Sequence, residues 1–257
     1  MSLPPPDPKI IIGLTTTPKR LGVVAPTIQS LLNQTRKADK IVLAVPSVMV
    51  RTGESCGPIP DNLQELCKGG VLDIQTVEDR GPGTKIVAGY DNAQADDYVV
   101  WCDDDILYPE NLLSVLIQCC ISELAIATSG FFMLHNRYCP VDYHFGYAEF
   151  LEGFGGVCCR KRNLPDVRTL FPAMTFESYR KLTPVERARF VADDYVISNA
   201  LRKRSVPTLV CHREDLNRGH VLQAVRPEGL GQDALHMNQE FGGNLGSYSF
   251  LKIHEPA

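Results

Sequence analysis

Four times in the first 120 residues an apolar run short enough for a strand is followed by a polar loop and then a helical segment. The runs are Lys9–Leu14, Lys40–Val45, Val71–Val77 and Tyr98–Cys102. The helices are expected over Val24–Gln34, Leu63–Cys67 (capped by Asp61), Lys85–Asn92 and Glu110–Cys120. Strand–helix alternation of this kind folds as βαβ units around a mostly parallel sheet, an α/β architecture. In open sheets of that class ligands bind beyond the carboxyl ends of the strands. Topology therefore predicts that the Thr15–Arg20 loop, the Glu78–Lys85 loop and the residues after Cys102 share one rim.

Directly after Cys102 stand Asp103-Asp104-Asp105, three like charges leaving an apolar strand. Adjacent carboxylates repel one another and resist burial, so they require a compensating cation. A divalent ion held by oxygen ligands, Asp105 first and Asp103 second, meets that need. An exposed acidic turn that caps the helix after Pro109 is the alternative. Around the same rim Arg20 and Lys85 are cationic, Thr15 and Thr16 carry hydroxyls, and backbone amides after Gly81 face a helix start. Such a set suits a diphosphate. The chain has neither Gly-x-x-x-x-Gly-Lys-Ser/Thr nor Gly-x-Gly-x-x-Gly opening a helix, which argues against P-loop phosphoryl transfer and dinucleotide binding.

The second half is less regular. A strand is expected over Leu124–Phe132, a hairpin over Tyr138–Phe150, and strands at Val157-Cys158-Cys159 and Val206–Cys211. Glu152-Gly153-Phe154-Gly155-Gly156 either admits a ligand close to the backbone or simply turns the chain. Thr183-Pro184-Val185-Glu186 reads as a helix start. Asp193-Asp194 opens a further helix and is either its acidic cap or a general base for an acceptor hydroxyl. His212, His220 and His236 fall in a polar, Gly-rich tail. No repeat or linker interrupts residues 1–257, which predicts one domain.

A net charge of −4 gives no electrostatic case for nucleic acid. No apolar run reaches membrane-spanning length, and Met1–Pro6 lacks the pattern of a signal peptide, although an anchor removed from the chain would leave no trace. Nine cysteines, two sets of them adjacent and none in Cys-x-x-Cys spacing, are read as reduced thiols of a cytoplasmic protein.

Ile12-Gly13-Leu14-Thr15-Thr16-Thr17-Pro18-Lys19-Arg20 with Ile28–Thr35 resembles the opening of GT-A glycosyltransferases. So does Gly81-Pro82-Gly83-Thr84-Lys85, followed by Trp101–Pro109, whose Asp103–Asp105 resembles their Asp-x-Asp motif. The resemblance covers residues 9–130 and reaches about 205 through Glu152–Gly156 and Asp193-Asp194. It is nearest to small single-domain, family-2-like enzymes, including virus-encoded ones. It implies a Rossmann-like three-layer fold with a central, mostly parallel mixed sheet. It divides the chain into a nucleotide-sugar half (9–130) and an acceptor-binding, catalytic half (131–257). The donor implied is a nucleotide-diphosphate sugar, UDP-linked by preference, with Mn²⁺ or Mg²⁺ as cofactor and a glycan or other hydroxyl as acceptor. Thr15, Thr16, Arg20, Glu78, Asp79, Gly81, Lys85, Asp103 and Asp104 would surround the donor. Asp105 and Asp103, with His212 or His220, would bind the metal, and Glu152, Gly153 and Phe154 would meet sugar or acceptor. Asp194, with Asp193 second, resembles the base of inverting members. A nucleotide-sugar hydrolase and a non-catalytic glycan or nucleotide-sugar receptor remain as alternatives.

Overall fold

The structure, a computed structural model, describes residues 7–121, 123–135, 137–141, 145–211, 223–224, 247–249 and 251–252. The chain runs β1 (Ile10–Thr15), α1 (Ala25–Leu32), β2 (Lys40–Pro46), α2 (Asp61–Cys67), β3 (Leu72–Val77), α3 (Thr84–Asn92) and β4 (Tyr98–Trp101). It continues through β5 (Ile106–Leu107), α4 (Leu112–Cys119), β6 (Ala125–Ala127), β7 (Gly130–Leu134), β8 (Arg137–Pro140), β9 (Phe145–Tyr147), β10 (Phe150–Leu151) and β11 (Val157–Arg160). Helices α5 (Val167–Leu170), α6 (Phe176–Arg180), α7 (Pro184–Val191) and α8 (Asp193–Lys203) precede β12 (Thr208–Cys211) and β13 (Gln223–Ala224). Residues 247–249 and 251–252 are helical.

The main sheet has eight strands in the order β3-β2-β1-β4-β11-β6-β12-β9. Its first four are mutually parallel, with Ile12 of β1 opposite Ile41 of β2 and Val100 of β4. β11 runs antiparallel between β4 and β6, β12 is parallel to β6, and β9 closes the edge antiparallel. This is the mostly parallel mixed sheet of a GT-A fold. Side chains of β1 alternate between two cores because a strand points successive residues to opposite faces. Ile10, Ile12 and Leu14 pack with Ile28 and Leu31 of α1 and Leu112 and Leu116 of α4. Ile11 packs on the other face with Ile86 and Val87 of α3 and Ile197 and Leu201 of α8. Each such fully buried aliphatic side chain stabilises by about 1.5–3 kcal/mol, which is why these strands need no polar face.

Gly13 interrupts the isoleucine run of β1 for a steric reason. A Cβ there would lie 2.0 Å from the Lys85 carbonyl oxygen and 2.7 Å from the Gly89 amide. The missing side chain lets α3 lie directly on the sheet, and that approach fixes where α3 presents Lys85.

Several expectations are corrected. Asp61 lies in the first turn of α2, whose cap position is Pro60, and it makes no side-chain capping bond. The helix expected from Glu110 begins at Leu112, with Pro109 before it accepting the Leu112 N–H through its carbonyl. Leu124–Phe132 is two strands in different sheets, because Thr128 and Ser129 turn the chain: Thr128 Oγ1 donates to the Gly155 carbonyl (2.5 Å) and Ser129 O accepts from Glu152 N (3.0 Å). Tyr138–Phe150 is not one hairpin. β8 pairs with β7, β9 pairs with β12 in the main sheet and β10 returns to β7, so two partner strands share a stretch whose alternation fits either of them. The tail is also less uniform than its composition. β13 pairs with β5 just past the acidic turn, and Ser247, Tyr248 and Leu251 are buried. The capping box at Thr183 and Glu186 forms as its spacing predicts, and all nine cysteines are free thiols. Among the described residues no helix is long and apolar enough to cross a membrane.

Candidate active site

Strands β1, β3 and β4 are parallel and end on one side of the sheet, so their exit loops converge. The acidic turn after β4 is gripped from two directions. Asp104, buried, accepts a hydrogen bond from Thr16 Oγ1 (2.5 Å) and one from the Arg20 guanidinium, while its carbonyl accepts from Thr27 Oγ1 of α1 (3.0 Å). The other Arg20 terminal nitrogen lies 3.3 Å from Asp105 Oδ2. Burial would lower the Arg20 pKa, but Asp104 and Asp105 outweigh it and the net shift is upward. The Asp105 carboxyl is pushed up to about 6 by burial and by the neighbouring Asp103, against the pull of Arg20. Even with a guanidinium in place, burial and the adjacent carboxylate keep the charged form of Asp105 disfavoured. Tyr108 braces the turn, its hydroxyl accepting from Asp103 N (2.9 Å) and donating to Asp103 O (3.3 Å).

Lys85 links the two halves of the chain. Its Nζ is 2.6 Å from Asp103 Oδ1 and 2.9 Å from Asp193 Oδ2, and the residue is only 4% exposed. Burial opposes its charge, yet Asp103, Asp193 and Asp194 hold it protonated well above the ordinary lysine range. The contact to Asp193 is an ion pair outside hydrogen-bonding geometry, which leaves that buried oxygen without a hydrogen-bond partner. Asp193 and Asp194 form the first turn of α8, where the helix dipole favours negative charge. Asp194 Oδ1 accepts from the Gly153 N–H at 3.1 Å. Burial and the adjacent Asp193 raise the Asp194 carboxyl well above its ordinary value, with Lys85 opposing. A Cβ on Gly153 would lie 2.9 Å from Lys85 Nζ and 3.3 Å from Asp194 Oδ1, so a bare backbone is what brings this amide to the carboxylate.

The remaining residues singled out from sequence occupy varied places. Glu152 accepts from Ser129 Oγ (2.6 Å) and from Tyr138 Oη (3.2 Å), at the edge of the Lys85 cluster. Phe154, half-buried, packs against the core that contains α4. Thr15 Oγ1 donates to the Ala44 carbonyl (2.9 Å), within the sheet. Glu78 is exposed. Asp79 is buried and accepts from Val50 N (2.8 Å) and Gly81 N (2.7 Å), tying the loop after β2 to the loop after β3. Burial nevertheless leaves its carboxyl above the usual range. His212, His220 and His236 lie outside the described residues.

Sequence reasoning passed over Gly13, Tyr108, Ser129, Tyr138 and Tyr248. A glycine inside an apolar strand was a legible sign of close backbone approach, whereas Tyr248 carried no local signal. As to a metal, no group of three or more His, Cys, Asp or Glu among the described residues is arranged to hold one. Asp105 and Asp103, two partly exposed carboxylates of the acidic turn, are the oxygen ligands that this turn could offer a divalent ion.

The family model described as Glycosyl transferase family 2 matches residues 15–182, from the end of β1 to just before α7. No curated protein matches the chain. Among solved structures it is similar to one titled 4-diphosphocytidyl-2C-methyl-D-erythritol synthase, at 12% identity and a TM-score of 0.45, over 86% of this chain and 94% of that one. The family match covers most of the chain, including the acidic turn, Lys85 and Gly153: the protein belongs to glycosyl transferase family 2 and is a nucleotide-sugar glycosyltransferase of GT-A fold.

Proposed function

We propose that the chain transfers a sugar from a UDP-linked donor to a hydroxyl of a glycan or other acceptor, in one displacement that inverts the anomeric centre, with a divalent metal at the acidic turn. The observation that carries this reading is the single buried ammonium of Lys85, set between Asp103 of the acidic turn and Asp193 of α8. It supports the reading because the groups proposed for a departing diphosphate and those proposed for an incoming hydroxyl meet one shared cation.

Asp105 and Asp103 would hold Mn²⁺ or Mg²⁺, which supplies charge neutralisation for the diphosphate. Arg20 and Lys85, both protonated throughout the physiological range, add positive charge where the leaving group develops its own. Asp194 is the base. Asp193 is committed to Lys85, while Asp194 stands beside it on the first turn of α8, its Oδ1 held by Gly153 N. Its raised carboxyl is better matched to taking a proton near neutrality than an ordinary aspartate. The sugar passes through an oxocarbenium-like state while the acceptor proton moves to Asp194 from the opposite face.

The test is to measure UDP release and glycoside formation from a panel of UDP-sugars, with and without MnCl₂. Asp194→Asn should lower transfer by about 10²–10⁴-fold with UDP affinity little changed. Near-normal transfer by that variant removes Asp194 from the role. Free sugar in place of glycoside points to a hydrolase, and nuclear magnetic resonance of the first-formed anomer checks inversion.

A further inference from the structure

Residues 247–249 and 251–252 lie beyond the span matched by the family, yet Tyr248 and Leu251 among them pack into the side of the site proposed for the acceptor. Tyr248 is 4% exposed. Its ring stacks on Phe131 (centroids 5.7 Å, planes 13° apart), on Phe150 (6.0 Å, 24°) and on Tyr195 (6.0 Å, 25°). Those partners hold the reacting groups in place. Tyr195 directly follows Asp194 at the start of α8, and Phe150 stands two residues before Glu152, whose neighbour Gly153 donates to Asp194. Phe150 and Tyr195 also stack on each other at 5.2 Å. Leu251 is fully buried in the same core, and Lys252 Nζ bonds the Met133 carbonyl (3.1 Å) and Glu149 Oε1 (3.0 Å), so the segment is fastened on both sides of the ring. Burial and the nearby Asp194, Asp193 and Glu152 hold the Tyr248 phenol neutral, consistent with a ring seated beside the acidic pair.

We propose that Tyr248 is a positioning residue: its ring wedges the Phe150 strand against Tyr195 of α8, and thereby fixes the Gly153 amide on Asp194 in the orientation that accepts the acceptor's proton. The inference rests on the role given to Asp194 above, but its consequence for local structure does not. Aromatic rings in this geometry contribute through contact and offset stacking, so a phenylalanine replaces the tyrosine and an alanine does not. The carboxyl-terminal segment is in this way part of the catalytic half of the enzyme.

The experiment compares the full chain with Tyr248→Phe and Tyr248→Ala by hydrogen exchange and by kinetics. In Tyr248→Ala, amides of peptides spanning 149–154 and 192–198 should exchange about tenfold faster, while those of β1, β4 and α3 keep their protection. Tyr248→Phe should match the parent chain. Turnover of UDP-sugars by Tyr248→Ala should fall about 10–100-fold in kcat, with the Kd for UDP in MnCl₂ within about twofold, because a misplaced base costs rate rather than donor binding. Unchanged exchange at 149–154 and 192–198, or exchange raised equally throughout the chain, overturns the proposal whatever the activity. A loss shared by Tyr248→Phe overturns the claim for the ring. Absence of turnover in the parent chain counts against the transferase reading alone, since the exchange measurement stands without it.

Discussion

The wall proposed for the donor, made by the exits of β1, β3 and β4, is held by charge: Arg20 on Asp104 and Asp105, and Lys85 on Asp103. The wall proposed for the acceptor, made by β7, β10 and α8, is held by rings: Phe150 and Tyr248 are each in ring contact with Phe131, with Tyr195 and with one another, and one backbone amide reaches Asp194. The difference suits the ligands proposed for each. A diphosphate brings charge that can exchange with ion pairs already present, whereas a neutral hydroxyl acceptor gains little from fixed charge and needs a dry, well-placed carboxylate. Lys85 belongs to both walls, since it also pairs with Asp193.

Perturbing one wall at a time sharpens that contrast. The largest stability losses are expected from Lys85→Met and Phe150→Ala, for different reasons. Lys85→Met leaves Asp193 as an unpaired buried charge and should cost about 3–5 kcal/mol. Phe150→Ala opens a cavity among the rings and should cost about 3–5 kcal/mol as well. Adding Asp193→Asn should restore part of the stability of the first variant and none of the second, as measured by urea denaturation. Equal rescue of both would mean that the walls are not separately held.

Next in size is Gly13→Ala. Its Cβ would press on backbone atoms of α3, which cannot rotate away, so a loss of about 1–3 kcal/mol is expected, with weaker UDP binding as Lys85 shifts. Unchanged melting and UDP affinity would show that α3 is free to slide.

The smallest effect concerns Asp79, whose carboxyl binds its proton more tightly folded than unfolded. Between its unfolded pKa, near 4, and its raised folded value, the native state holds more protons than the unfolded state. Its contribution to stability is therefore greatest below that window and is lost as pH rises through it. Asp79→Asn should flatten this part of the melting-temperature profile. A profile parallel to that of the parent chain would show that the amides of Val50 and Gly81 cancel the cost of burial.

The first half was legible because its partners are sequential. The apolar runs of β1, β2 and β4 are buried on both faces while β3, at the sheet edge, is only partly covered, and each loop after them is forced to the same rim by parallel pairing. The acidic turn, Arg20 and Lys85 could be grouped from topology alone. The second half was not legible in the same way. Ala125–Ala127 and Gly130–Leu134 read as one run, but two hydroxyl residues between them send the halves to different sheets. Phe145–Tyr147 and Phe150–Leu151 have the same alternation and different partners, because period two specifies a face and not a neighbour.

Residue order by itself determined the α/β class, the rim and the carboxylates and cations that stand on it, since apolar runs, turn residues and short connections are local properties of a chain. Only the tertiary structure decided that Lys85 would face Asp193, more than a hundred positions away, that Asp194 would receive the amide of Gly153, and that Tyr248 would be wedged beside them. Those contacts depend on which distant surfaces fill each other's gaps, and that complementarity is set by the packed shape of the folded chain rather than by any stretch of its sequence.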